Sequence, residues 1–304
     1  MKKIIFLFIV MFSFLNASSE QLTVNILPQK YFVEKIVKDK FTINVMVKPG
    51  VSPHNFEPKP SQMKSLVASK AYFLIGDASE KAWIGKFKQS AKNTLFVDTT
   101  VGVEKIEMPK HEEHDVKESK EHKTHAHKED KHDHEKHDKH DHSGLDPHIW
   151  LDPIAVKIQA KNIYEAMIKV DSANSEFYKT NYNEFIKELD ALDTNIKTLL
   201  TPHKDKAFMV FHPSWGYFAK RYELEQISIE IEGKEPKPNE LVELIEEAKK
   251  HDIKIIFVSP QFSQKSAEAI SKNIGANVVA IDPLSDNWNE NLQKVATQIA
   301  NSYK

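Results

Sequence analysis

Apolar residues along this chain fall into two alternating rhythms. Short β-prone runs at 22–27, 42–47, 71–75 and 94–97 alternate with helically spaced stretches at 31–38, from Ser61 onward, and at 82–91. The alternation restarts in the second half, with strands expected at 207–211, 226–231, 254–258 and 277–281. Helices are expected there at 215–222, 238–251, 266–273 and 287–303. Strands alternating with helices imply crossover connections and parallel sheets. The pattern therefore predicts an α/β chain of two similar lobes with four strands each. Between them lie a helix at 153–170 and a longer one at 174–200. In the longer helix Tyr178, Tyr182, Phe185, Leu189, Leu192, Ile196 and Leu199 step by three or four. At 1.5 Å per residue it would be about 40 Å long, which reads as a rigid spine beside two lobes, with a helix packed on one of them as the alternative.

The rhythm breaks between Lys110 and His142, where His, Lys, Asp and Glu dominate and Val116 is the one large apolar residue. Such a run has no core to bury and is expected to be a disordered loop. Ten of the chain's fifteen histidines lie in it. Charge alone does not require so many imidazoles, so the tract is read as weak metal capture rather than as a solubilising insert. At the start, Lys2 and Lys3, an apolar run from Ile4 to Leu15 and small residues ending at Ala17 predict a secretory signal. The mature chain is then expected to be exported, soluble and untethered. Without cysteine, thiolate metal sites and disulfides are excluded. A formal net charge of −2 argues against a nucleic-acid surface. The expected organisation is a signal at 1–17, a first lobe at 18–173 with the histidine-rich loop at 110–143, a linking helix at 174–200 and a second lobe at 201–304.

Candidate chemistry follows from the rule that open parallel sheets bind ligands beyond the carboxyl ends of their strands. His54 follows the second strand, in a proline-rich loop. His148 sits in Asp146-Pro147-His148-Ile149-Trp150-Leu151-Asp152-Pro153, after the fourth. The two Asp-Pro pairs predict a stiff, extended segment leading into a helix, with Asp152 as N-cap and Pro153 at the first helical position. His212 directly follows the first strand of the second lobe, and Asp282 its last. Three imidazoles and a carboxylate suit tetrahedral Zn²⁺, whereas three imidazoles with an open position would suit a zinc hydrolase. Glu57 is the one tempting base for that hydrolase. Asp146 and Asp152 are candidates to orient His148 through its second ring nitrogen. Trp150, Trp215, Tyr217 and Phe218 are read as core.

The DPHIWLDP stretch, Pro53-His54-Asn55-Phe56-Glu57-Pro58 and Phe211-His212-Pro213-Ser214-Trp215-Gly216-Tyr217-Phe218 resemble the zinc-type metal receptors of ABC importers, the ZnuA-like group. Glu235-Pro236-Lys237-Pro238 and Phe257-Val258-Ser259-Pro260-Gln261-Phe262 add to the likeness, which covers essentially the whole mature chain. The resemblance implies two (βα)₄ lobes with parallel four-stranded sheets joined by one long rigid helix, and metal in the cleft between them. It implies a periplasmic monomer that is not an enzyme, with Zn²⁺ as cargo and ABC permease subunits as partners. His54, His148 and His212 map onto the family's ligands. The fourth place falls to Asp282, Glu57 or a water, because Pro53 stands where some zinc receptors carry an acid. The cysteine pair some relatives carry in the second lobe is also missing. Manganese-type relatives carry Glu where this chain has His212, which leaves manganese as the alternative cargo. A metal-buffering or adhesive surface protein is a third reading.

Overall fold

A computed structural model describes residues 20–108, 144–231 and 233–304. The expected signal at 1–17 and the histidine-rich tract at 110–143 lie outside the described residues. In the first lobe β1 (Gln21–Val24), β2 (Thr42–Val45), β3 (Ser69–Leu74) and β4 (Leu95–Asp98) form a parallel sheet of order β2-β1-β3-β4. In the second, β5 (Ala207–Val210), β6 (Glu225–Ser228), β7 (Ile255–Val258) and β8 (Asn277–Ala280) repeat that order as β6-β5-β7-β8. Every residue of the two central strands β5 and β7 is buried, as parallel strands covered on both faces must be.

The first lobe carries α1 (Leu27–Val37), α2 (Pro60–Val67), α3 (Ala78–Ser90) and α4 (Pro153–Val170); α5 (Ser175–Leu200) follows. The second carries α6 (Gly216–Arg221), α7 (Pro238–Lys250), α8 (Lys265–Ile274) and α9 (Trp288–Ser302). Proline in the first turn starts α1, α2, α4 and α7, where its missing N–H costs nothing. This explains one boundary that differs from expectation. The first strand stops at Val24 rather than running to residue 27, because Pro28 sets the first turn of α1 and the Gln29 side chain accepts the Asn25 amide at 2.8 Å. A second difference lies just before α4. Residues Ile149–Leu151 form a 3₁₀ turn instead of an extended segment, since Asp146 Oδ1 takes the His148 amide and starts the chain turning. Asp152 caps α4 as expected, accepting from the Ile154 amide at 2.8 Å.

Helix α5 packs on α1 and α4 of the first lobe and on α9 of the second. Its buried face runs through Tyr178, Phe185, Leu189, Leu192 and Ile196. One apolar cluster extends from the first sheet across α5 into the second lobe, and a smaller one fills the other face of the second sheet. Where the lobes meet, Trp288 stands edge-on to Phe32 at 5.0 Å, and Phe32 lies 6.2 Å from Phe185.

The DPHIWLDP segment is held by the second lobe on several sides. Trp288 Nε1 donates to the Trp150 carbonyl (2.6 Å), and Trp150 Nε1 donates to the Pro283 carbonyl (2.8 Å). Tyr217 donates its hydroxyl to the Asp146 carbonyl, and Arg221 pairs with Asp152 through Nε and Nη2 at 3.0 and 3.2 Å. The chain on either side of the tract also meets. Glu107 and Leu145 form an antiparallel bridge, and the Met108 amide donates to the Gly144 carbonyl at 3.2 Å.

Candidate metal centre

Three loops at the carboxyl ends of strands bring three histidines together. His54 sits in a short 3₁₀ turn, Pro53–Asn55, whose start is fixed by Ser52 Oγ accepting the His54 amide. His148 follows the Asp146 turn, and His212 lies two residues past β5. Ring centroids of His54, His148 and His212 are 5.6, 5.0 and 5.3 Å apart. One ring nitrogen from each lies within 4.8 Å of the others. His54 Nε2 and His212 Nε2 are separated by 3.1 Å. Two nitrogens on a tetrahedral zinc with bonds of 2.0–2.1 Å are about 3.3 Å apart, so the spacing nearly matches before any metal arrives.

Each imidazole is turned by a buried carboxylate behind it. His148 Nδ1 meets Asp146 Oδ1 at 2.7 Å, and His212 Nδ1 meets Glu230 Oε1 at 2.6 Å. His54 Nδ1 lies 3.4 Å from Asp77 Oδ2. Asp77 and Asp146 are fully buried and Glu230 nearly so. A carboxylate accepting from Nδ1–H fixes the tautomer that leaves Nε2 as a lone-pair donor. Electrostatics support this. Burial lowers His212 to about 4, with His148 and His54 adding to the effect against the upward pull of Glu230. The ring is therefore neutral, as a ligand must be, throughout the ordinary pH range. Burial pushes the Asp77 carboxyl up, but His54 and the Ser79 amide and hydroxyl outweigh it and hold the group at about 2. Phe262 stacks on His212 at 4.9 Å and Trp150 stands 5.1 Å from His148, giving the rings apolar walls.

Asp282 stands outside this group. Its Oδ1 accepts from Gln261 Nε2 and from the Leu284 amide, each at 2.9 Å, so the Asp-Pro-Leu turn fixes its side chain. Glu57 is exposed and also outside the group. Of the two acids flanking His148, Asp146 orients the ring whereas Asp152 is occupied by the helix cap and Arg221. Trp150, Trp215, Tyr217 and Phe218 are core residues, as expected.

Sequence reasoning missed Asp77, Glu230 and Gln261. Glu230 was recoverable from register. Val210 pairs with Ser228 across β5 and β6, so extending that pairing by two residues places Glu230 beside His212.

Comparison with known proteins adds a lineage to this geometry. The family model described as "ZnuA: Zinc-uptake complex component A periplasmic" matches residues 23–302. The high-affinity zinc uptake system protein ZnuA of Bacillus subtilis is 30% identical over 261 residues, covering 84% of this chain and 76% of that protein. A crystal structure of ZnuA superposes with a TM-score of 0.81 at 37% identity, covering 94% of this chain and 100% of the other. A zinc-bound internal-deletion mutant of ZnuA gives 0.79 at 38% identity, covering 93% and 98%.

Proposed function

The chain belongs to the ZnuA family of zinc-uptake components, and from that membership we propose that it is a periplasmic receptor that captures Zn²⁺ on His54, His148 and His212 and delivers it to an ABC-type permease. The observation that carries this reading is the convergence of three imidazoles, each with a buried carboxylate on its Nδ1 side, hydrogen-bonded at 2.7 Å for His148 and 2.6 Å for His212 and lying 3.4 Å away for His54. Three nitrogen donors favour zinc over manganese, calcium or magnesium, which prefer oxygen-rich sites. The carboxylates behind the rings supply negative charge toward a dication that must shed most of its water.

The receptor works as a monomer, without nucleic acid and without catalysing a reaction. Glu57, the one base the hydrolytic alternative could call on, is exposed and lies outside the three-histidine group found among the described residues. None of the helices among the described residues is long and apolar enough to cross a membrane. The signal at 1–17 takes the chain to the periplasm. The histidine-rich tract raises the local zinc concentration beside the high-affinity site through many weak contacts. Competition titration against a zinc chelator tests the assignment. Wild type should bind one ion tightly, and His54→Ala, His148→Ala and His212→Ala should each lose that ion. Tight binding that survives all three substitutions would sink the reading.

A further inference from the structure

Three histidines each offer one ring nitrogen to a common point, and a fourth polar side chain stands beside them. Gln261 lines the same small cavity as His54, His148 and His212, with Ser52 and Ser214 nearby. Its Nε2 donates to Asp282 Oδ1 at 2.9 Å, which fixes which way the amide faces. The other end, Oε1, is buried and without a hydrogen-bond partner among the described residues. A buried amide oxygen left unpaired costs roughly 1–3 kcal/mol, so an orphan of this kind beside a metal group calls for a ligand that completes it.

We propose that Gln261 holds the fourth ligand of the captured zinc, a metal-bound water that donates a hydrogen bond to Oε1, with Asp282 acting only through the amide. This inference rests on the three-histidine reading above. Zinc-bound water is a strong donor because the metal draws charge from its oxygen. Asp282 on the amide nitrogen polarises Gln261 so that Oε1 becomes a better acceptor. A carboxamide oxygen is a poor zinc ligand next to water or imidazole, which favours the indirect contact. Asp282 is thus a positioning residue, set by its own turn to orient Gln261. Handover follows naturally, because the one ligand that is not part of the chain can leave first and open a coordination position to the next donor.

The test uses the full mature chain and compares wild type with His148→Ala, Gln261→Met, Gln261→Ala and Asp282→Asn. Zinc affinity is measured by chelator competition, and the Co²⁺ form is followed by its visible spectrum with and without azide. Asparagine at 282 still accepts from Gln261 and from the Leu284 amide but loses the charge that polarises the amide, so Asp282→Asn should lose less affinity than the Gln261 variants and far less than His148→Ala. Gln261→Met and Gln261→Ala should lose ten- to a hundred-fold in affinity, as loss of a supporting hydrogen bond to a metal ligand does. Azide should displace the exchangeable ligand in wild-type Co²⁺ protein and bind more tightly once Gln261 no longer holds the water. Circular dichroism checks that each variant is folded, and near-isosteric Met guards against collapse of the Ala variant. If Asp282→Asn loses as much as His148→Ala and wild-type Co²⁺ protein ignores azide, Asp282 is the ligand and the proposal is overturned. Unchanged affinity and azide response in both Gln261 variants would overturn it equally. Failure of wild type to hold zinc, or retention by His148→Ala, would instead remove the three-histidine reading itself.

Discussion

Gly216 makes room for Asp146. A Cβ added at Gly216 would lie 2.8 Å from Asp146 Oδ2, closer than real contacts allow, and Asp146 is the carboxylate that turns His148. Gly216→Ala should therefore displace Asp146 and weaken zinc binding ten- to a hundred-fold, the range for disturbing a ligand's hydrogen-bond partner. Gly216 opens helix α6, where alanine is the better helix former by up to about 1 kcal/mol. Stability of the metal-free protein should consequently fall little. Parallel chelator titration and urea melts separate the two effects, and a loss of stability matching the loss of affinity would argue for general unfolding instead.

Glu230 makes the 2.6 Å contact to His212 Nδ1. Glu230→Gln keeps the shape and removes the charge, so the imidazole loses basicity and part of its fixed orientation. The expected result is a ten- to hundred-fold weaker zinc complex that still contains one ion. Isothermal titration with a competing chelator reads both numbers, and a change in stoichiometry would show that the contact does more than orient a ring.

Trp288 ties the lobes through its bond to the Trp150 carbonyl and its edge-on packing with Phe32. Trp288→Phe keeps an aromatic ring but leaves that buried carbonyl without its donor. A loss of about 2–3 kcal/mol is expected from the missing bond and the smaller ring together. Urea unfolding of the chelator-treated protein measures it. Because Trp150 follows His148 by two residues, zinc should also dissociate faster from this variant in stopped-flow exchange.

Glu80 is buried beneath the His54 side of the site. It accepts from the Ile75 and Gly76 amides and from Tyr72, yet burial raises its carboxyl to about 8 from 4.5. Between those values the folded protein keeps a proton that the unfolded chain has lost, so stability falls as pH rises, by up to about 1.4 kcal/mol per unit. His212 acts in the opposite sense. Its folded value of about 4 lies below 6.5, so within that window the unfolded chain binds the extra proton and stability rises with pH. The two trends oppose each other in mildly acid solution, and Glu80 acts alone above pH 6.5. Metal-free wild type should lose thermal stability from pH 6.5 to 8, whereas Glu80→Gln should show a much flatter profile. Equal slopes for both proteins would remove Glu80 as the cause.

The fold was legible because the alternation of apolar runs is a direct record of strands buried on both faces, as the fully buried β5 and β7 show. His54, His148 and His212 were legible for a related reason, since each follows a strand end and parallel sheets gather those ends in one crevice. Side-chain direction was not legible. Asp282 occupies the backbone position expected of it, and the local turn commits its Oδ1 to Gln261 and Leu284. Asp77 was hidden differently. It looks like an ordinary helix cap, and it is one, accepting from Ser79 at 2.7 Å while its other oxygen faces His54. A residue that satisfies a local rule so completely gives no sequence signal of its second contact.

The bridge between Glu107 and Leu145 makes the intervening stretch an insertion with a closed neck. Its two ends, Glu107 and Leu145, meet at nearly the same point, so the fold on either side is fixed without reference to the number of residues between them. Doubling such an excursion changes the closure entropy by only about 0.6 kcal/mol. The neck, closed further by the Asp146 amide donating to the Ile106 carbonyl at 2.8 Å, keeps Asp146 and His148 at a constant distance from the sheet. The neck thus delivers the chain into a position so closely fitted that a single methyl group, at Gly216, is too much.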